Sequence, residues 1–281
     1  MSVIRELQEQ LDQVQTAQFV TTMLRDISAT RLQSIRAVFE ANKAYYQQLH
    51  SLMEGVKRYA KARNINLSDL GPKRGRVYVA VTANKRFYGN LNNNVMEGLF
   101  KVLSEQPSVS GYTIGQTGQQ YLETHPNMRA RMSSHVFADD EPTAEEMHRL
   151  IVDLQDYSEV IVVHPTFINS FRQEVKLTDI THQPQETTET LVPSLEYLCE
   201  PELPELLEFF RTHIRLTLFK RVMLETRLAL TGARLMKMQR ARERSVELVK
   251  EQQRVIHKEM STIHSMRLLE TSVSFHQDKS I

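Results

Sequence analysis

From Ile4 onward one set of positions recurs at alternating intervals of three and four residues. It runs through Leu7, Leu11, Val14, Gln18, Thr21, Arg25, Ser28, Leu32, Ile35, Phe39, Asn42, Tyr46, Leu49, Met53 and Val56. Mostly apolar positions at this spacing form the seam of a heptad helix. At 1.5 Å of rise per residue the seam predicts a helix about 80 Å long, too long to wrap back onto a globular core. The seam is apolar at both ends and polar at Gln18, Thr21, Arg25 and Ser28, so that stretch is poorly suited to a permanent dry interface.

The residues that break helices divide the rest of the chain. Every proline lies between Pro72 and Pro204, no glycine precedes Gly55, and only Gly232 follows Gly118. A second breaker-free arm therefore starts at "EPELPELLEFF", with Pro204 suited to a first helical turn. Gly232 costs this arm roughly 1 kcal/mol relative to alanine and does not end it. Two long helices leaving one middle domain can satisfy each other by pairing antiparallel, as a rod projecting from a globular head. Two core helices broken by unseen turns are the alternative. The predicted segments are a coiled-coil helix over 1–60, a middle domain over 74–200 and a second coiled-coil helix over 204–275.

The middle section alternates strand and helix signals. "RVYVAV", "GYTI", "SSHVFA", "EVIVV" and "EVKLTDI" predict strands, and helices are expected near 94–103 and over "TAEEMHRLIVDLQDY". Thr143 with Glu146 three residues later is a capping box that fixes one helix start. This alternation predicts an α/β domain with a mostly parallel or mixed sheet.

Composition limits the partners. The 281 residues carry a formal charge of +1, so no whole-molecule field draws the chain to nucleic acid or anionic lipid. Cys199 is the only cysteine, which excludes an internal disulfide framework. The start "MSVIRELQEQLDQVQ" has neither signal-peptide nor transit-peptide character. The apolar runs "VYVAV" and "VIVV" are too short to span a bilayer, so membrane association is expected to be peripheral, without insertion.

Candidate chemistry is sparse. "RVYVAVTANKRFYGNLNNNV" has the order strand, glycine-bearing loop, helix start that often holds a phosphate. Yet it offers only Gly89, with no Gly-Lys-Ser/Thr ending, and the glycines of "GYTIGQTG" do not match a dinucleotide fingerprint. Tight turns account for both. No serine sits in a nucleophile elbow, and His257 and His264 lack a clear third metal ligand. No catalytic residue, cofactor or metal is expected. "ADDE" at 138–141 precedes a helix start, where negative charge is favourable.

Six segments together resemble a known family. "VQTAQFVTTMLRDISATRL", "TANKRFYGNLNNNV", "IGQTG", "TFINSF", "YLCEPELPELLEFF" and "GARLMKM" follow in order the landmarks of the gamma subunit of F-type rotary ATP synthases. The resemblance covers about four-fifths of the chain. It departs from the family pattern at Leu24 and Arg25 (usually Met-Lys), at Ala229 and Leu230 (usually Ser-Glu), and at Tyr88, Gly89 and Asn90 (usually Cys-Gly-Gly). These departures suggest a divergent member.

The resemblance implies a fold of α/β class: a long antiparallel coiled coil of the terminal helices with a central Rossmann-like domain that is not catalytic. Gly89, Leu91 and Asn92 would be the family's landmark loop. It further implies a rotor shaft, coupling ion translocation in the membrane sector to ATP synthesis or hydrolysis. Its partners would be the alpha and beta subunits of the catalytic ring, the epsilon subunit and the c-ring, at the cytoplasmic face of a bacterial plasma membrane. Two observations on the residues bear on that role. A polar seam section suits a rotating surface, since deep apolar contacts would hold one angle too firmly. From Arg234 to Lys258 basic residues outnumber acidic ones, and in the family this part faces acidic loops of beta subunits. Leu24, Arg25, Arg234, Lys237 and Arg242 are the resulting partner-contact candidates. A static coiled-coil scaffold and a nucleotide-binding α/β enzyme are the other functional classes these residues allow.

Overall fold

The computed structural model describes residues 2–62, 74–181 and 202–277. Cys199 and the first part of "YLCEPELPELLEFF" lie outside them. The chain falls into two compact units, one formed by Ala29–Arg234 and the other by Met1–Ser28 with Leu235–Ile281. The terminal helices α1 (Ser2–Ala62) and α6 (Leu203–Gln277) each contribute to both units.

In the Ala29–Arg234 unit, β1 (Arg74–Val81), β2 (Ser110–Ile114), β3 (Met132–His135), β4 (Tyr157–Phe167) and β5 (Gln173–Asp179) form one mixed sheet in the order β3-β2-β1-β4-β5. The first four are parallel and β5 runs antiparallel to β4. Side chains alternate across the sheet. Val77, Val79, Val81, Val160 and Val162 face a core built with α5 (Ala144–Leu154), α6 and the end of α1. Tyr78, Ala80 and Val163 face α2 (Leu91–Glu105), which presents Val95, Met96, Leu99 and Leu103 at helical spacing. The short helices α3 (Gln116–Glu123) and α4 (Pro126–Arg129) were not legible in the sequence.

Local chemistry sets the ends of these elements. The capping box at α5 forms as expected: the Glu146 amide donates to Thr143 Oγ1 at 3.2 Å, and the Thr143 amide donates to Glu146 Oε2 at 2.8 Å. At the end of α2, Arg131 donates to the carbonyls of Gln106 at 2.8 Å and Val109 at 2.9 Å. Arg215 of α6 is buried and donates to the carbonyls of Gln155 at 3.1 Å and Tyr157 at 3.3 Å, closing the end of α5. Burial pushes its pKa down from the usual arginine value.

Within the same unit α1 and α6 run antiparallel. Val56 packs with Leu203, Tyr45 Oη lies 2.8 Å from His213 Nε2, Arg221 sits 5.9 Å over the Phe39 ring, and Ile35 packs with Leu224 and Leu228. Residue numbers fall on one helix as they rise on the other. Every seam position from Ile4 to Val56 is buried or half-buried. In the Met1–Ser28 and Leu235–Ile281 unit the matching positions on α6 include Met238, Arg242, Ser245, Val249 and Ile256. From His264 to Ser272 every residue of α6 is exposed.

One expectation is corrected by this geometry. Gln18, Thr21 and Arg25 are half-buried and Ser28 is buried, so the polar seam section lies on the inner side of the helix. Heptad seam positions face a partner helix, and a rubbing surface would have to be the outer one. That outer face carries Phe19, Val20, Met23 and Ile27, each at least 47% exposed.

His164 is the most deeply buried titratable group of the sheet, with Nε2 2.9 Å from Thr178 Oγ1. Desolvation lowers its pKa, partly opposed by the nearby Glu225 carboxylate.

Two tests follow from the fold. Cysteines at Ile4 and Ile256 should form a disulfide under mild oxidation, detected as a non-reducing gel shift, because these are, among the described residues, the first half-buried seam position of α1 and the last buried position of α6. Cross-linking of Ile4→Cys to Leu206→Cys instead would mean a parallel pair. For His164, the unfolded imidazole takes up a proton below about pH 6.5 while the buried one resists to lower pH, so the unfolded state binds more protons in that window and stability falls as pH drops. The slope contributed should approach, at most, about 1.4 kcal/mol per pH unit. Urea unfolding at pH 7.5, 6.5 and 5.5 should show this loss in the wild type and a flatter dependence in His164→Gln; equal slopes would contradict it.

Candidate functional site

The sheet order places a topological switch between β1 and β4, where chain connections leave in opposite directions. In open α/β sheets ligands bind in the crevice at the carboxyl ends of such strands. Four of the landmark segments named above meet at this edge: the loop after β1, the start of α3, the end of β4, and Gly232 on α6.

The loop after β1 is held by its own side chains. Asn84 is the hub: its amide donates to Asp140 Oδ1 at 2.6 Å, its Nδ2 donates to the Phe137 carbonyl at 2.9 Å, and its Oδ1 accepts from the Gln116 amide at 2.8 Å. The Ala83 amide donates to Asn92 Oδ1 at 3.3 Å. Gly89 adopts φ +65°, a conformation that favours glycine. Leu91 packs with Ala83, Tyr88, Ala229 and Leu230. Of the predicted loop residues, Leu91 and Asn92 are therefore buried supports and Gly89 an exposed turn.

The helix start at α3 is committed as well. The Thr117 amide donates to the Ala83 carbonyl at 3.1 Å and the Gly118 amide to Thr82 Oγ1 at 2.9 Å, while Gln116 serves Asn84. These first-turn N–H groups are what a helix offers a phosphate. Gly115 lies so close to β1 that an added Cβ would stand 2.3 Å from the Thr82 carbonyl oxygen.

Helix α6 closes the crevice from above. Ala229 and Leu230 pack with Ala83, Leu91 and Phe167 at the ends of β1 and β4, and over the neighbouring ends of β1, β2 and β3 Met223, Thr226, Arg227 and Leu230 leave a cavity of only about 10 Å³. Ligand pockets typically have some 300–1,000 Å³. Gly232 rides on Phe167, where a Cβ would lie 2.7 Å from the ring, so the approach needs glycine. The expected helical cost of Gly232 thus has a packing reason.

The "ADDE" carboxylates serve this joint and not the start of α5, which has its own cap. Asp139 Oδ1 is 2.6 Å from Lys85 Nζ, and this pair holds the Asp139 carboxyl below its usual range. Asp140 also accepts from Tyr88 Oη at 3.1 Å. Glu141 takes both arms of Arg227 at 2.9 and 2.7 Å. The Tyr88 hydroxyl has its pKa pushed up, first by burial and then by Asp140.

The five partner-contact candidates are divided between the two units. Arg234 belongs to the sheet-bearing unit, with its Cζ 4.5 Å over the Tyr88 ring and Nη2 donating to the Arg86 carbonyl at 3.0 Å. Leu24, Arg25, Lys237 and Arg242 belong to the other unit, where Arg25 Nε donates to Asp26 Oδ1 at 2.9 Å and Lys237 is exposed. Among the described residues no group of three or more His, Cys, Asp or Glu is placed to hold a metal.

Comparison with known proteins gives this architecture a family. The family model described as ATP synthase matches residues 3–259. The chain is 24% identical over 262 residues to the ATP synthase gamma chain of Geobacter metallireducens, covering 89% of each, and 22% identical over 254 residues to that of Desulforamulus reducens, again covering 89% of each. Among solved structures, a chain of the rotor of Euglena gracilis mitochondrial ATP synthase superimposes with a TM-score of 0.61 at 11% identity, covering 93% of this chain and 99% of that one. A chain from the central stalk and c-ring of the Tetrahymena thermophila enzyme gives 0.59 at 16% identity, covering 79% and 99%. With a family match running through both terminal helices and the sheet between them, the chain belongs to the ATP synthase gamma-chain family.

Proposed function

We propose that this chain is the central-stalk rotor subunit of a rotary ATP synthase or ATPase and is not itself catalytic. The observation that carries the reading is the filled crevice: a sheet of nucleotide-binding topology has its ligand position occupied by its own helix α6. A domain built in this way holds a helix and does not turn over a substrate. The segments 1–60 and 204–275 then serve as the shaft, and 74–200 as the domain that grips it.

In this role the shaft turns inside a ring of alpha and beta subunits, which carry the chemistry, while the middle domain engages the epsilon subunit and the c-ring. No described helix is long and apolar enough to cross a membrane. The chain would sit peripherally at the cytoplasmic face of a bacterial plasma membrane. Lys237 is exposed, while Arg25 and Arg242 are half-buried seam residues whose long side chains can carry their charge past the seam to its rim; with Leu24 beside them, these are the proposed contacts to acidic loops of the ring. Exposed ion pairs of this kind are each worth about 0.2–1 kcal/mol and exchange readily, so they can pass force without locking one angle. Arg234, committed to Tyr88, is better placed to hold the shaft than to meet a partner.

A tagged chain purified from native membranes should bring down alpha and beta subunits, identified by mass spectrometry, while the purified chain alone should show no binding of labelled ATP. Recovery as a homodimer free of both subunits, or tight ATP binding lost on Lys85→Ala, would count against the reading. Changing Arg25, Lys237 and Arg242 together to Gln should leave the complex assembled and hydrolysing ATP but lower ion pumping per ATP in reconstituted vesicles, with raised ionic strength mimicking it weakly. An unchanged ratio would remove these residues from the coupling surface.

A further inference from the structure

Helix α6 meets the sheet through both apolar and polar contacts, and one polar contact differs from the others in what lies behind it. The Arg234 guanidinium stacks over Tyr88 and donates to the Arg86 carbonyl. Tyr88 is 8% exposed and its hydroxyl donates to Asp140, which accepts the Asn84 amide. Asn84 in turn binds the Phe137 carbonyl and the Gln116 amide. A continuous polar path therefore runs from α6 to all three loops that follow β1, β2 and β3.

The loop carries a backbone bend directly beside this contact. Phe87, the residue before Tyr88, has φ +76° and leaves its ring 59% exposed. A bulky residue in the left-handed region is uncommon and persists where surrounding contacts over-determine it. Here the contact on the other side of that bend is the buried Tyr88 ring under Arg234. Arg234 is also the last residue of the sheet-bearing unit along α6.

We propose that Tyr88 and Arg234 form a latch that fixes the rotation of α6 about its own axis against the sheet, so that twist carried by the helix is delivered to the three loops as one body. Planar stacking suits this role because it resists rotation of the guanidinium in a way that a point contact of an ammonium does not. Tyr88 is a positioning residue in this scheme, acting through Asp140 and Asn84. The inference rests on the rotor reading for its function, but the latch itself is a local property of the chain.

The test has two arms. In assembled complexes reconstituted into vesicles, Tyr88→Leu should retain ATP hydrolysis yet reach an ion gradient roughly half that of the wild type, and Tyr88→Phe, which keeps the ring under Arg234 and loses the hydroxyl to Asp140, should reach a gradient between the two. Thermal midpoints of the purified variants separate this from a general loss of stability. Gradients that are equal in all three proteins, or that track the midpoints with no rescue by phenylalanine, would overturn the latch. Should Tyr88→Leu fail to assemble, Arg234→Lys, which keeps the charge and loses the planar stack, takes its place under the same outcomes. In the second arm, hydrogen exchange on the full chain should show the Asn84 amide about tenfold less protected in Tyr88→Leu; unchanged protection would overturn the latch even if the rotor reading stands. A wild-type chain that joins no alpha and beta subunits would sink the rotor reading alone, and the exchange arm would then decide the latch.

Discussion

The passage of α6 over the carboxyl edge of the sheet is the constraint on which the other features depend. It brings Gly232 so close to the Phe167 ring that an added Cβ would stand 2.7 Å from it, and it packs Ala229 and Leu230 against Ala83 and Leu91 at the strand ends. With that space filled, the polar groups of the loop after β1 bond to the protein itself. Asn84, Asn92 and the first-turn amides of α3 do so, which turns a phosphate-binding layout into a mount for a helix. The fold shares its strand and loop geometry with nucleotide-binding sheets, and here a helix packs at the crevice where such sheets hold a ligand.

A helix held only by apolar contacts can rotate or slide among nearly equivalent packings. The ties on α6 do not permit this. Arg215 reaches the end of α5, Thr166 of β4 donates to the Glu225 carboxylate, Arg227 pairs with both oxygens of Glu141, and Arg234 stacks on Tyr88. Each demands a particular rotation of the helix, and leaving a buried member such as Arg215 or its carbonyl partners unsatisfied would cost about 1–3 kcal/mol, more for the charge. Apolar burial supplies most of the attraction, while the polar ties specify orientation. That division suits a part that must carry twist without slipping.

How much of this the sequence disclosed depends on the range of each signal. Heptad spacing is local and repeated, so the seam from Ile4 to Val56 could be read residue by residue. The capping box at Thr143 and Glu146 and the alternation within β1 and β4 were equally local. Helices α3 and α4, at eight and four residues, are too short to show a period, and the glycines beside α3 read as a turn. The joint itself was invisible, since Asn84 and Asp140 are 56 residues apart and Arg86 and Arg234 are 148 apart. Arg234 read as a surface charge because nothing nearby in sequence supplies the Tyr88 ring. The polar seam section suits a rotating surface by composition, but its own period places it inward, and the outer face carries Phe19, Val20, Met23 and Ile27. The ordered landmark segments recovered the family where tertiary contacts could not be inferred.

The central claim is mechanical, and observing rotation tests it most directly. A bead attached through a cysteine at exposed Lys101, on α2, would be followed by video microscopy in complexes whose catalytic ring is fixed to glass. On adding ATP the bead should turn continuously in one direction, stop when ATP is removed, and pause at three evenly spaced angles when ATP is scarce. A complex that hydrolyses ATP while the bead stays at one angle would contradict the claim and leave the chain a static element of the assembly.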